Sequence, residues 1–460
     1  MGYIFYDTET TGLTAGFDQI LQFAALVTDD NLNVVEEVDL RCRLQPHVLP
    51  SPGALAITGM RPSTIASAPL SHYQMIQRIR SLIEHHSPAI MVGFNTLGYD
   101  EGMLRQAFYQ TLNPIYLTNT GGNARMDMLR VAHAVAQYAP NVLVVPSNAE
   151  GRPSFKLGLL SAANGLLHDH AHDALSDTWA TLELAKLIRS KAPMVWQAML
   201  RTRSKQTAMD MLYGNELFLF TDMAFGTPTI LASSIAANTN NPTEVAVFDL
   251  AHDPEPALEL DVDGVLGMLK ALPRLIRVVR LNNQPILMEP DRFPVGWTGC
   301  DLETARYRAN RIARHPTFGK VVGQALASRY PDREPSEYVE QRIYEGFPSR
   351  ADAAVTAKFH TVPWAERAEL VARLSDKRLR ELGERLIYLE HPEVLAADVR
   401  HRYDDWRRER LTANQAVPWV TLASGRQELE QMRGENLDEM LGLIVETEEY
   451  FDQIARTLEE

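Results

Sequence analysis

Two acidic side chains lie two residues apart near the start of the chain. Asp7 and Glu9 follow the β-rich run Tyr3–Tyr6. In an extended strand, side chains two residues apart point to the same face, so both carboxylates project together. Paired carboxylates repel each other unless a cation lies between them, and Mg²⁺ or Mn²⁺ prefers such oxygen ligands. A solvated turn is the alternative for this D-x-E pair taken alone.

Two later segments supply further acids and a histidine. A turn follows the apolar strand Ala89–Phe94 and ends at Asp100, which starts a helix. This turn delivers Asp100 to the edge of the sheet, where it meets Asp7; helix capping is the alternative role. Asp177 lies in the first turns of a later helix, with His172 on the loop just before it. Both side chains then face one cleft.

The ordered set resembles the DEDDh family of 3′→5′ exonucleases. That family carries D-x-E on the first strand, N-x-x-x-[FY]-D in the middle and H-x-x-x-x-D before a late helix. The sister class has a tyrosine where this chain has Asp173, so the histidine class is indicated. The resemblance implies two Mg²⁺ ions, with Mn²⁺ as a substitute, and a general base that deprotonates the attacking water. Carried over, the metal ligands are Asp7, Glu9, Asp100 and Asp177, and the general base is His172.

Strands and helices alternate around these residues and predict an α/β domain over residues 1–192. The predicted strands are Tyr3–Tyr6, Ile20–Thr28, Val34–Leu44 and Ala89–Phe94. Helical spacing of apolar residues occurs in Tyr73–His85, Met128–Ala136, Lys156–Ala163 and Ala174–Ile188. These elements predict a mixed sheet covered by helices, which the resemblance makes RNase H-like.

Beyond residue 192 the pattern changes twice. Short β runs separated by turn clusters predict a β-rich domain, and from about Glu334 the sequence becomes charged and helically periodic. Over its full length the chain resembles the bacterial exonuclease I family, which implies an SH3-like β domain at 193–340 and a helical domain at 341–460. The segments that carry this wider resemblance are Pro153–Leu157, Asn282–Leu287, Tyr344–Phe347 and Asp376–Arg378.

The wider resemblance implies processive 3′→5′ digestion of single-stranded DNA to 5′-mononucleotides, in DNA repair and recombination. Leu13 resembles the family's apolar wedge beside the terminal nucleotide, and Ile57–Gly59 resembles the loop that packs on the terminal base and sugar. A core position for Leu13 and a turn role for Gly59 are the alternatives. The candidate substrate-binding residues are Glu9, Leu13, Thr58, Gly59 and Lys156.

The charge composition limits how nucleic acid can be bound. With 45 Lys plus Arg against 59 Asp plus Glu, the net charge is −14, which excludes a wholly basic surface and leaves local patches. The resemblance also implies docking of the acidic, apolar C-terminal tail of single-stranded DNA-binding protein (SSB), for which we select Arg308 and Arg311. The DNA-contact candidates are Arg274, Arg277, Arg280, Arg306, Arg308, Arg311, Arg314 and Trp406–Arg410.

Composition also indicates where the protein acts. The two cysteines, Cys42 and Cys300, provide no disulfide framework, which favours a reducing cytoplasm. The sequence has neither an apolar run of about 20 residues nor a recognisable leader peptide. We therefore predict a cytoplasmic protein that does not contact membranes and works as a monomer.

Two other functions fit parts of the pattern. An RNA-trimming exonuclease would share the same five catalytic residues, and only the full-length resemblance favours DNA. A non-catalytic single-strand-binding scaffold is the alternative from another class. The intact set of four acids and one histidine argues against it, because the loss of one acid would be expected in an inactive relative.

Overall fold

The computed structural model describes residues 1–166, 173–224, 228–293, 296, 298–330, 334–434 and 440–459. Of the predicted site residues, His172 lies outside these ranges. Within them, we find no helix that is both long enough and apolar enough to cross a membrane.

The first sheet holds the D-x-E pair in its central strand. β1 (Tyr3–Thr10) pairs antiparallel with β2 (Ile20–Thr28), which pairs with β3 (Val34–Arg41). On its other side β1 pairs parallel with β4 (Ile90–Gly93), followed by β5 (Ala124–Asp127). The order β3-β2-β1-β4-β5 confirms the predicted mixed sheet, and β5 is a strand that the sequence pattern did not predict.

Helices cover both faces of this sheet. Ile4 and Tyr6 pack against α3 (His72–His86) and α4 (Asp100–Gln110) on one face. Phe5 belongs to the core shared with α5 (Met128–Tyr138) and α7 (Ala174–Lys191) on the other face. Asp7 and Glu9 share the face of Phe5 because strand side chains alternate. The helices of this part are α1 (Pro52–Thr58), α2 (Pro62–Ala66), α3 (His72–His86), α4 (Asp100–Gln110), α5 (Met128–Tyr138), α6 (Leu157–Ala163), α7 (Ala174–Lys191), α8 (Pro193–Arg201) and α9 (Lys205–Gly214).

A second sheet confirms the β-rich part of the chain. Its strand order is β10-β6-β7-β8-β9, and all neighbouring strands in it are antiparallel. The strands are β6 (Phe218–Thr221), β7 (Thr229–Ala237), β8 (Glu244–Asp249), β9 (Ile276–Arg280) and β10 (Ile286–Met288). The SH3-like assignment and the boundaries at 192/193 and 340/341 stay predictions.

One apolar core connects the two sheets. Val92 of β4, Trp196 of α8 and Phe248 of β8 belong to the same buried cluster, so burial is continuous across residue 192. α11 and α13 cover the second sheet and extend this core. The helices of this part are α10 (Glu255–Leu258), α11 (Val262–Lys270), α12 (Leu302–Arg314) and α13 (Phe318–Ser328).

The last part of the described chain is helical, as the sequence predicted. Leu379, Leu382 and Leu386 are buried on one face of α16, the spacing expected of an amphipathic helix. We call α14 to α19, with their connections, the helical region. Its helices are α14 (Arg350–Phe359), α15 (Trp364–Ala372), α16 (Lys377–Glu390), α17 (Ala397–Thr412), α18 (Leu422–Gly434) and α19 (Leu441–Glu459).

Candidate active site

Asp7 and Glu9 lie inside the sheet, in the second half of β1. The sequence pattern ended this strand at Tyr6, four residues before Thr10, but pairing with β2 extends it. Asp7 lies opposite Ala24 and Glu9 lies opposite Gln22. Cross-strand partners share a face, so the small Ala24 side chain leaves space beside the Asp7 carboxylate.

A tight turn after β4 leads to Asp100. A Cβ at Gly93 would lie 2.0 Å from Thr96 Cγ2, so only glycine fits where the strand ends. Asn95 adopts a left-handed backbone conformation, φ 62°. The Asp127 carboxylate accepts hydrogen bonds from the Asn95 N–H (2.9 Å) and the Leu97 N–H (3.2 Å). The end of β5 therefore fixes the turn that delivers Asp100.

Asp100 is the first residue of α4 and is 5% exposed. Thr8 Oγ1 donates a hydrogen bond to Asp100 Oδ1 at 2.5 Å. Because Thr8 lies between Asp7 and Glu9 on β1, this bond holds the third carboxylate against the D-x-E segment. Asp100 thus contacts the first strand directly, through Thr8, whereas the sequence predicted that it meets Asp7.

The start of α7 brings in the fourth acid. Asp173 caps this helix and accepts hydrogen bonds from the backbone N–H groups of Leu175 (3.2 Å) and Ser176 (3.3 Å). Asp177 lies in the first turn. One of its carboxylate oxygens lies within 4.8 Å of a carboxylate oxygen of each acid on β1, in a group suited to hold a metal ion.

Asp173, beside the cluster, has a cationic partner. Arg41 Nη2 lies 2.7 Å from its Oδ2, and Gln22 Nε2 donates to the same oxygen at 3.2 Å. Burial alone would raise the pKa of Asp173, but the hydrogen bond and charge of Arg41 outweigh it and the pKa is lowered. These contacts fix the residue that directly follows His172.

The clustered acids resist ionisation in the absence of a cation. Burial, followed by the charges of Asp177 and Asp100, raises the pKa of Glu9 to about 8. Burial and the same neighbours hold the pKa of Asp7 well above its ordinary value. The pKa of Asp100 rises to about 7, chiefly through burial. Such shifts indicate a site built to hold positive charge.

The donor set fits divalent cations. All four groups offer carboxylate oxygens, the ligands preferred by Mg²⁺ and Mn²⁺, and two divalent cations would balance four negative charges. Bound cations would also remove the repulsion that raises these pKa values. The structure therefore brings Asp7, Glu9 and Asp177 into one group and places Asp100 beside it, where its charge raises the pKa of Asp7 and of Glu9.

The sequence did not reveal the residues that hold these acids in place. Thr8 is visible inside the D-x-E motif, but its bond to Asp100 spans 92 residues. Arg41 and Asp173 are separated by 132 residues, and Asp127 ends a strand that the pattern did not predict. The N-cap position of Asp173 is the one local signal that was available.

Of the predicted terminal-nucleotide residues, Leu13, Ile57 and Gly59 are exposed and Thr58 is half-buried. Leu13 is 86% exposed, so its core alternative is wrong. Thr58 ends α1, and Gly59 caps that helix in the left-handed region with φ 65°, so it does serve a turn. The Ser51 N–H donates to the Thr11 carbonyl at 2.8 Å and joins the two segments. Lys156, another candidate substrate-binding residue, is exposed at the start of α6. The remaining candidate, Glu9, belongs to the carboxylate cluster.

Both predicted partner-binding arginines already have intramolecular partners. Arg308 Nη1 donates to the Leu250 carbonyl at 2.6 Å. Arg311 makes two hydrogen bonds to the Glu255 carboxylate, at 2.5 and 2.9 Å. A partner's carboxylate would therefore have to compete with Glu255 for Arg311.

Similarity to known proteins identifies the family. The Exonuclease family matches residues 4–185, and the Exonuclease I C-terminal domain family matches residues 337–454. Exodeoxyribonuclease I of Buchnera aphidicola subsp. Baizongia pistaciae is 30% identical over 412 residues, covering 85% of this chain and 84% of that protein. The chain belongs to the exonuclease I family. It is accordingly a hydrolytic exonuclease, and the scaffold alternative is wrong.

Solved structures of exonuclease I share the fold along nearly the whole chain. E. coli exonuclease I in complex with a dA16 oligonucleotide matches with a TM-score of 0.88 at 26% identity, covering 98% of this chain and 99% of that chain. A structure of SSB/exonuclease I with the inhibitor CFAM matches with a TM-score of 0.83, at the same identity and coverage. The exonuclease I family also implies divalent metal ions, which agrees with the acidic cluster.

Proposed function

We propose that this exonuclease digests single-stranded DNA from the 3′ end and releases 5′-mononucleotides by two-metal-ion hydrolysis. The observation that carries the proposal is the group of carboxylates of Asp7, Glu9 and Asp177, whose oxygens lie within 4.8 Å of one another, with Asp100 held beside it by Thr8. Such a cluster suits in-line attack on a phosphodiester, because charge develops on both the attacking and the leaving oxygen.

The chain supplies the metal ligands, the general base and a fixed residue directly after that base. Asp7, Glu9, Asp100 and Asp177 would hold two Mg²⁺ ions, which when bound stabilise charge on the phosphate and on the leaving oxygen. His172, outside the described residues, accepts the proton of the attacking water as the bond to the 3′ oxygen breaks. Asp173, held by Arg41, fixes the chain directly after that histidine.

A basic cavity supports the choice of a single nucleic-acid strand as substrate. Although the chain has a net charge of −14, five arginines line one cavity of about 220 Å³. Phe220 and Pro285 line it as well, and such mixtures of cations and apolar surface suit single strands. The family's complex with dA16 favours DNA over RNA. The arginines are Arg130, Arg274, Arg277, Arg280 and Arg329.

We further propose that the SSB tail docks near Arg308 and Arg311, with its carboxylates displacing Glu255 from Arg311. The known SSB/exonuclease I structure supports a partner of this kind. The protein would act as a cytoplasmic monomer in DNA repair and recombination.

Digestion of end-labelled substrates tests the main proposal. Matched single-stranded DNA, duplex DNA and RNA, labelled at the 5′ or the 3′ end, are incubated with Mg²⁺ or with EDTA. We expect mononucleotides from the 3′ end of single-stranded DNA only, and no product in EDTA. A preference for RNA would favour the exoribonuclease alternative, and release from the 5′ end would contradict the polarity.

A further inference from the structure

Two connected segments beside the carboxylates present apolar side chains to solvent. Leu13, three residues beyond the end of β1, is 86% exposed, and Ile57 of α1 is 63% exposed. The Ser51 N–H donates to the Thr11 carbonyl and joins the bases of these segments. Exposed apolar side chains on connected loops next to a phosphodiester-cleaving site suit contact with a nucleobase.

A glutamate of the helical region accepts hydrogen bonds from the first residues of α1 and from its N-cap. Glu428 Oε1 on α18 accepts a hydrogen bond from Ser51 Oγ and another from the Gly53 N–H, both at 2.9 Å. Ser51 is also the N-cap of α1 and accepts from the Ala54 N–H at 3.3 Å. A Cβ at Gly53 would lie 2.7 Å from Glu428 Oε1, so glycine permits this approach. The orientation of α1 therefore depends on α18.

α19 holds the other end of the same segment. Leu55 of α1 and Leu443 of α19 are buried in one apolar cluster. Glu446 accepts a hydrogen bond from the Ser63 N–H at 2.8 Å and forms an ion pair with Arg61 at 3.1 Å. The segment that carries Ile57 is thus fixed on both sides by the helical region.

The segment after β1 packs against two aromatic rings and one guanidinium group. Phe17 is 4% exposed, and its ring centroid lies 5.3 Å from that of Trp419 and 5.7 Å from that of Tyr338. The guanidinium carbon of Arg410 lies 5.2 Å from the Phe17 ring centroid. Arg410 is itself fixed by an ion pair with the buried Glu340 at 2.8 Å. The loop that carries Leu13 therefore also depends on the helical region.

We propose that the helical region positions the base of the 3′-terminal nucleotide, through Glu428 at α1 and through Arg410 and Trp419 at Phe17. Leu13 and Ile57 contact the terminal base, and the helical residues act on them as positioning residues. The inference rests on the proposed function, because it requires a 3′-terminal nucleotide at the carboxylates. It gives the helical region a role in alignment at the cleavage site.

The test compares variants at Glu428 on two substrates. Glu428→Ala removes the acceptor, Glu428→Gln keeps an oxygen acceptor, and Arg426→Ala breaks an α18–α19 ion pair with Asp452 that does not touch α1. The substrates are 5′-labelled single-stranded DNAs of about 20 nucleotides whose 3′-terminal nucleotide has a base or is abasic. Single-turnover rates in Mg²⁺, the Kd for DNA from anisotropy and the Tm are measured for each variant.

We expect Glu428→Ala to lower the cleavage rate about tenfold on the base-bearing end and less than about twofold on the abasic end. The Kd for DNA changes little, and Glu428→Gln and Arg426→Ala retain the wild-type rates. Equal loss on both ends, or a Glu428→Ala rate equal to that of Arg426→Ala, would overturn the inference. If Glu428→Ala fails to fold, Gly53→Ala replaces it, because the added methyl displaces the same carboxylate. A wild-type protein inactive on DNA would instead refute the proposed function.

Discussion

Two buried glutamates lie in regions that shift the pKa of their carboxyl groups in opposite directions. Glu9 is 8% exposed among other acids, and burial with those acids raises its pKa to about 8. Glu340 is 2% exposed; burial alone would raise its pKa, but Arg385 and Arg410 outweigh burial and lower it. The first environment gathers like charges that a cation must balance, whereas the second is balanced by the protein itself. Unbalanced buried charge therefore marks the functional region.

The carboxylates and the residues that position the neighbouring loops come from different parts of the chain. The four carboxylates come from three element ends within the first 177 residues of the chain. The loops beside them are held from more than 300 residues away, by Glu340, Arg410 and Glu428. Changes in the first region should abolish hydrolysis with little loss of stability. In the second region, a change at Glu340 should chiefly lower stability, and a change at Glu428 should lower the cleavage rate only moderately.

The largest expected effect is on hydrolysis at the cluster. Asp7→Asn should lower the rate on single-stranded DNA by at least about 10³-fold, because one of the three carboxylates that lie within 4.8 Å of one another loses its charge. Asp210→Asn, at an exposed site on α9 that pairs with Gln206, should leave the rate unchanged. A rate for Asp7→Asn within about tenfold of wild type would contradict the metal-ligand assignment.

The second effect is on stability, at the ion-pair region. Glu340→Gln removes the buried counter-charge shared by Arg385 and Arg410, leaves Arg385 only its pair with the half-exposed Glu381, and should lower the free energy of unfolding by about 3 kcal/mol. Asp452→Asn, which breaks an exposed pair with Arg426, should lower it by less than about 1 kcal/mol. Urea unfolding measures both. Equal losses of unfolding free energy would contradict the distinction between the buried and the exposed ion pairs.

The third effect is a gain of stability rather than a loss. The folded-state pKa of Asp100, about 7, exceeds its unfolded value, so the folded state loses stability as pH rises from about 4 through about 7. Asp100→Asn removes that loss and should stabilise the metal-free protein at pH 8 by at least about 1 kcal/mol, measured by urea unfolding in EDTA. The difference should vanish near pH 4. Destabilisation at pH 8 would mean that these like charges are balanced by other groups.

The smallest effect is at the end of α1. Gly59→Ala should cost about 1 kcal/mol, because φ is 65° and an added Cβ meets nothing within 4 Å, so only backbone strain changes. Gly267→Ala, inside α11 with equally open surroundings and ordinary helical φ, should stabilise by up to about 1 kcal/mol. Thermal unfolding measures both, and the same sign for the two substitutions would contradict the assigned cap conformation.

The sequence predicts the two regions unequally, for physical reasons. Asp7, Glu9 and Asp100 were recognisable because short motifs at strand and helix ends fix where their side chains point. Glu428 was not, because its partners Ser51 and Gly53 lie more than 370 residues away and no local pattern records such a contact.

Two strands escaped prediction for a similar reason. β5 reads Ala-Arg-Met-Asp, and its Arg125 and Asp127 are buried by partners that lie elsewhere in the chain. Arg125 pairs with Glu101 at 2.9 Å and also reaches the Asn282 carbonyl at the same distance. β7 ends in small and half-buried residues that do not alternate. In both cases tertiary partners replace the local periodicity on which prediction relies.

The most direct test of the central claim is a crystal of the protein with Mn²⁺, measured at the manganese absorption edge. The account predicts two anomalous peaks about 4 Å apart among the carboxylates of Asp7, Glu9, Asp100 and Asp177. In Asp7→Asn crystals at least one peak should disappear. Peaks elsewhere, or none among these four side chains in protein that cleaves DNA with Mn²⁺, would contradict the account.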